Sequence, residues 1–165
     1  MMDNRTFLKF RSLDFPKDSI GLEWSGNDIT YFCTPVGAEV IGWLGVDGIH
    51  FCFIPSISSD MVFAVSPMPC GEHYVEPIAC SFQEFLSLVL FCKDASPLEQ
   101  ICWMSEEDED CWAARDAALN ILRTEFGIEI QSDVYQYVKN LQANFEYSKI
   151  LFSEEYYDTL ENRIH

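Results

Sequence analysis

The chain has 165 residues, of which 48% are hydrophobic, and its formal net charge is −17. This length is typical of one domain, and the apolar content suffices for a core without a metal or a disulfide framework. The acidity excludes nucleic acid as a partner, because a negative surface repels phosphate backbones. No run of about 18 apolar residues occurs, so the sequence contains no membrane-spanning segment.

The cysteines indicate a reducing compartment. Their number is odd and no two form a C-x-x-C pair, so we expect all seven to be reduced and structural. The first 15 residues also lack the apolar region and cleavage site of a secretory signal, and a cytoplasmic location is therefore expected. The seven positions are Cys33, Cys52, Cys70, Cys80, Cys92, Cys102 and Cys111.

Residues 20–79 read as strands separated by turns. Asp47-Gly48 is the strongest turn signal, because a primed hairpin turn needs positive φ, which glycine adopts freely. Residues 49–54 are apolar on both faces apart from His50 and are expected to form a central strand, whereas Pro77 confines the last run to an edge or a bulge. The predicted strands are 20–24 and 29–33, joined by a hairpin turn at 25–28, then 39–44, 49–54, 61–65 and 74–79. Residues 7–10 fit either a short helix or a first strand.

Helix signals dominate after residue 80. Ser81 and Glu84 form a capping box, which satisfies two free backbone N–H groups at a helix start. An apolar stripe with helical spacing follows, and Gly127 is typical of a helix C-terminus. The predicted helices begin at residue 81, at 96 (ending near 104), at 105 (ending at 126), at 133 (ending at 145) and at 154 (ending at 161). This order indicates an α+β fold, with a mostly antiparallel sheet over residues 20–79 covered by the C-terminal helices on one side.

Residues 41–91 resemble the SMI1/KNR4-like, or SUKH, superfamily. The features occur in order: Ile41-Gly42, the turn 45–48, the strands 49–54, 61–65 and 75–79, and a helix that opens with Ser-Phe-Gln-Glu-Phe-Leu at 81–86. That opening is similar to the S-F-x-E-F-L start of the family. The resemblance covers nearly a third of the chain and implies one SUKH-like domain, 1–165, with a helical C-terminal extension from about 94 to 165.

The resemblance also implies a class of function. Its members are non-enzymatic, and many bacterial ones look like immunity proteins that bind and neutralise polymorphic toxins. Others regulate cell-wall synthesis or bind translocation machinery. We therefore expect a protein-binding domain without catalytic residues or cofactors, either an immunity protein or a regulatory or scaffold protein.

The acidic charge is unevenly distributed and suggests a binding surface. Residues 94–165 contain 16 acidic and 5 basic residues, a net −11, and five consecutive acids lie at 106–110. Tryptophan beside acids is typical of a hot spot for a basic partner. The alternatives are a solvated helix start and core packing of the tryptophans. The predicted partner-binding residues are Trp103, Glu106, Glu107, Asp108, Glu109, Asp110 and Trp112.

The sequence also contains two sets of residues that could carry enzymatic chemistry. His50 and Cys52 lie on one face of a predicted strand and could form a nucleophile–base pair, although their apolar surroundings favour packing. A loop with Cys70, Glu72 and His73 could offer three metal ligands. A structural zinc site usually needs a fourth, and the loop lacks a second close pair. A thiol- or metal-dependent enzyme is therefore the third hypothesis.

Overall fold

The computed structural model describes residues 4–23, 30–101 and 113–164. These residues form an antiparallel four-stranded sheet and five α-helices, and the predicted α+β fold is confirmed. The strands are β1 (Glu39–Trp43), β2 (His50–Phe53), β3 (Val62–Val65) and β4 (Val75–Ala79). The helices are α1 (Arg5–Ser12), α2 (Phe82–Cys92), α3 (Ala113–Phe126), α4 (Val134–Asn144) and α5 (Glu154–Ile164). Within the described ranges, no helix is both long enough and apolar enough to cross a membrane.

The turn between β1 and β2 has the predicted primed geometry. Asp47 has φ +52° and Gly48 has φ +72°. The Ile49 N–H closes the turn on the Val46 carbonyl at 3.1 Å. Because the strands follow the order β1-β2-β3-β4, β2 is internal, and all four of its residues are buried as predicted.

Strand β4 lies at an edge of the sheet, as Pro77 predicts. Its pairing with β3 shifts register between Val62 and Phe63, so β4 carries one extra residue there. Proline cannot donate a ladder hydrogen bond and is tolerated at such an irregular edge. The prediction that Pro77 lies at an edge or a bulge is therefore confirmed.

Helix α2 begins where the capping box predicts. The Ser81 hydroxyl oxygen accepts a hydrogen bond from the Glu84 N–H at 3.1 Å. The side chains of α2 pack on the face of the sheet that carries Phe51 and Phe53. Helix α1 packs on the same core, since the Phe7 ring lies 5.1 Å from Phe53 in an edge-to-face arrangement. The first core therefore consists of one face of the sheet and side chains from α1, α2, α3 and α4.

The two predicted strands at 20–24 and 29–33 are wrong for the residues that the structure describes. Lys17–Ile20 is a 3₁₀ helix, and Gly21 has φ +76°. Up to residue 23, where the description of this segment stops, a single bridge from Glu23 to Trp43 joins it to the sheet. Residues 31–34 form a turn, and the predicted hairpin turn at 25–28 lies outside the described residues. Tertiary contacts explain the difference. The Ile20 side chain is buried in the core, and its carbonyl accepts a hydrogen bond of 2.8 Å from the Ala95 N–H instead of pairing with a strand.

The prediction that helices cover one side of the sheet is also wrong, because both faces are buried. The second face carries Cys52, Phe63, Val65 and Val75. It is covered by the C-terminal segment 145–156, which includes a 3₁₀ helix, Tyr147–Lys149, and the start of α5. The side chains that cover this face are Phe145, Tyr147, Ile150, Phe152 and Tyr156.

The predicted helices at 105–126, 133–145 and 154–161 are confirmed where the structure describes them. Gly127 has φ +63° and follows the last residue of α3, and α4 and α5 match the two predicted C-terminal helices. The predicted helix at 96–104 is a shorter 3₁₀ helix, Ser96–Glu99. Residues 102–112, which include the predicted start of the next helix, lie outside the described residues.

Candidate functional site

A groove opens at the end of the sheet where β1 turns into β2. Its volume is about 440 Å³. The β1–β2 turn forms one wall, the loop after β3 a second, and the 3₁₀ helix Ser96–Glu99 a third. The lining residues are Leu44, Val46, Asp47, Ile49, Ser66, Met68, Ser96, Pro97 and Glu99.

Two apolar side chains that line this groove are largely exposed. Val46 is 59% exposed and Met68 is 69% exposed. Single exposed apolar residues are normal on protein surfaces, but two that line one concave site favour an interaction surface.

The groove also contains a buried carboxylate. Glu99 is only 8% exposed, because the 3₁₀ helix packs against β3 and the segment after it. The Ser66 hydroxyl donates a hydrogen bond of 2.6 Å to its Oε1 atom. Among residues 4–23, 30–101 and 113–164, no lysine, arginine or histidine forms an ion pair with Glu99. Buried charges are normally paired, so this carboxylate can accept a cation supplied from outside the described part of the chain.

The predicted His50–Cys52 pair lies inside the protein. The His50 Nδ1–H donates to the Gly48 carbonyl at 2.9 Å, and Nε2 lies 3.3 Å from the Thr34 hydroxyl, which can donate to it. The ring also packs 4.3 Å from the Trp43 ring. Burial lowers the pKa of His50 and so favours the neutral imidazole. The His50 ring is fully buried, and its hydrogen bond to Gly48 stabilises the β1–β2 turn.

The thiols on the same face are buried and difficult to ionise. Cys52 and Cys33 are both 0% exposed and belong to the second core. Burial raises the pKa of Cys33 to about 12 and raises the pKa of Cys52 as well. A nucleophilic cysteine needs the opposite shift, because the thiolate is the reactive form. Cys33 and Cys52 therefore act as small apolar residues that pack in the second core.

The loop of Cys70, Glu72 and His73 does not assemble a ligand set. In the described residues, no three His, Cys, Asp or Glu side chains are grouped so that they could hold a metal ion. His73 instead stacks on the Tyr147 ring at 3.6 Å, and the Tyr147 hydroxyl donates to the Glu76 carboxylate. Burial raises the pKa of Glu76, although the Tyr147 hydroxyl and His73 oppose this shift. These contacts fasten the C-terminal segment to β4.

All seven predicted partner-binding residues lie outside the described part of the chain. Trp103, Glu106, Glu107, Asp108, Glu109, Asp110 and Trp112 belong to the stretch 102–112. Only two residues, Gln100 and Ile101, separate this stretch from the end of the 3₁₀ helix at Glu99. The acidic run is thus connected in sequence to one wall of the groove.

Sequence reasoning missed the residues that line the groove. Pro97 predicts a helix start and Asp47-Gly48 predicts a turn, but neither signal brings the two together. Nothing in the local sequence separates Glu99 from the other acids, because its hydrogen-bond partner Ser66 lies 33 residues away.

Comparison with protein-family models, curated proteins and solved structures gives no match to this chain.

Proposed function

We propose that this chain is a non-enzymatic domain that binds a basic protein, in the manner of an immunity protein that neutralises a toxin in the cytoplasm. The observation that carries the proposal is the groove with exposed Val46 and Met68 on a chain of net charge −17. Burial of apolar side chains is the dominant favourable contribution in most protein–protein associations. The negative charge selects a basic partner and speeds its approach.

The positions of the reactive groups support a binding role rather than a catalytic one. His50 and Cys52 are 0% exposed, and the burial of Cys52 keeps its thiol protonated. An enzyme of the thiol class would need a nucleophile in contact with its substrate. The resemblance of residues 41–91 to the SMI1/KNR4-like superfamily favours a protein as the ligand, and either an immunity or a regulatory role follows from it.

Capture and reconstitution test this proposal. The tagged chain is used to capture proteins at about 50 mM and about 500 mM salt, and each captured protein is purified and titrated against the chain by calorimetry. We expect a basic protein that binds with a stoichiometric, salt-sensitive affinity. Relief of a growth defect caused by that protein would assign the immunity role, whereas binding without such relief would assign the regulatory role. Binding of only neutral or acidic proteins, or of none, would overturn the proposal.

A further inference from the structure

We infer that the groove between the β1–β2 turn and the 3₁₀ helix Ser96–Glu99 binds a lysine or arginine side chain of the basic partner, with Glu99 as its counter-ion. This inference rests on the proposed function and names the site at which the partner is held. The partner segment that fits carries an apolar residue next to the basic one.

The charge on the groove determines the chemistry of the occupant. Glu99 and Asp47 both line it, and no basic residue of the described ranges does. The Ser66 hydroxyl occupies one oxygen of the Glu99 carboxylate, which leaves the second oxygen to accept from a cation. An anionic or neutral occupant would leave this carboxylate buried without a counter-ion, and such burial is unfavourable.

The shape of the groove fits a long side chain with an apolar stem. A volume of about 440 Å³ exceeds what one ammonium or guanidinium group needs. Ile49 and Leu44 can contact the methylene stem of a lysine or arginine, while its charged end reaches Glu99. The exposed Val46 and Met68 then remain for a neighbouring apolar residue of the same segment. Methionine suits this role because its flexible side chain adapts to different partners.

The peptide Nα-acetyl-leucyl-arginine amide provides a direct probe. The isotope-labelled chain of 165 residues is titrated with this peptide, and amide shifts are followed by NMR. A matched peptide with citrulline in place of arginine has nearly the same shape without the charge. We expect saturable shifts at Val46, Ile49, Met68 and Glu99, and roughly tenfold weaker binding of the citrulline peptide, as loss of one charged hydrogen-bonded contact implies.

Two pairs of variants separate the groove from the general acidity of the chain. Glu99→Gln keeps an acceptor for Ser66 and should weaken the arginine peptide roughly tenfold, whereas Glu161→Gln, which removes an equal charge on α5, should not. Val46→Ser should weaken binding several-fold. Val36→Ser alters a valine of similar exposure, 52%, elsewhere on the surface and should have no effect. Thermal melts of all four variants confirm that each one folds.

Several outcomes would overturn the inference. Shifts that never saturate and spread over the acidic surface would indicate charge screening alone. Equal binding of both peptides, or no effect of Glu99→Gln, would exclude Glu99 as the counter-ion. Nuclear Overhauser contacts between the Met68 methyl and residues 102–112 in the free chain would identify the chain itself as the occupant. If a captured basic partner binds all four variants equally, the groove is not its binding site, and the proposed function stands. If no basic protein binds the chain, both the inference about the groove and the proposed function are wrong.

Discussion

Gly48 sets the path of the chain beside the groove through both its backbone and its missing side chain. Its φ of +72° lies in the left-handed region, and a Cβ added there would lie 2.4 Å from the Tyr31 ring. Gly48→Val should lower the free energy of unfolding by about 2–4 kcal/mol, because backbone strain and overpacking act together. Urea denaturation measures this loss. Gly71→Val is the matched control, since an added Cβ at Gly71 meets nothing within 4 Å, and an equal loss in both variants would contradict the explanation.

His50 should make the stability of the protein depend on pH. Burial holds its folded-state pKa below the usual value of 6.5, so below about pH 6.5 the unfolded chain binds more protons than the folded one. The contribution of neutral His50 is therefore complete above that pH and decreases as the pH falls. Between about pH 7 and about pH 5.5, the wild type should lose more stability than His50→Gln. An NMR titration that shows His50 gaining its proton near pH 6.5 would contradict this.

Exposure should separate the thiols into two classes of reactivity. Cys70 and Cys80 are exposed, whereas Cys33, Cys52 and Cys92 are buried, and the prediction that all seven are structural is therefore not met at Cys70 and Cys80. Iodoacetamide should label the exposed pair within minutes in the native protein and leave the buried three unmodified. Under denaturing conditions without reductant, all seven cysteines should be labelled. A stoichiometric disulfide found by mass measurement would contradict the second expectation.

At the scale of the element, the C-terminal segment completes the second core. Tyr156 on α5 stacks on Phe152 at 3.9 Å and contacts Phe32 and Tyr74, whereas Tyr157 is 59% exposed. Tyr156→Ala should therefore cost about 2–4 kcal/mol, and Tyr157→Ala less than about 0.5 kcal/mol. Denaturation of the two variants side by side measures the difference. Equal effects would mean that the segment is not fastened through this aromatic cluster.

The elements predicted correctly from the sequence are those with local signals. The Asp47-Gly48 turn, the Ser81 cap and the Gly127 stop each act within a few residues, and the structure contains all three. Lys17–Ile20 is a 3₁₀ helix rather than the start of a strand. The Ile20 carbonyl there accepts a hydrogen bond from the Ala95 N–H, a contact across 75 residues that no local pattern encodes. The covering of the second face is equally non-local, since the Phe145 ring packs on Phe63, which lies far from it in the sequence. Local signals predict the turn and the helix start that form walls of the groove, but they do not predict that these two elements lie side by side.

At the scale of the molecule, the proposed function assigns the apolar groove and the acidic excess to different stages of binding. In the proposed complex the side chains of the groove lose water, so substitutions there should change the dissociation rate. The net −11 of residues 94–165 would act at a distance, so a reduction of this charge should change the association rate. The stretch 106–110 has the highest density of this charge.

Replacement of Glu106, Glu107 and Glu109 with glutamine tests whether this density steers a basic partner. The association rate should fall several-fold while the dissociation rate changes less, because charges at the rim of an interface act mainly during the approach. Added salt should reduce the advantage of the wild type, since the screening length is about 10 Å at 0.1 M. Surface-binding kinetics at two salt concentrations measure both effects, once the captured partner is purified. Glu154, Glu155 and Glu161 on α5, changed together to glutamine, form the charge-matched control. Equal slowing by both triple variants would mean that total charge alone steers the partner, and an unchanged rate in the first would leave residues 106–110 as a solvated acidic run.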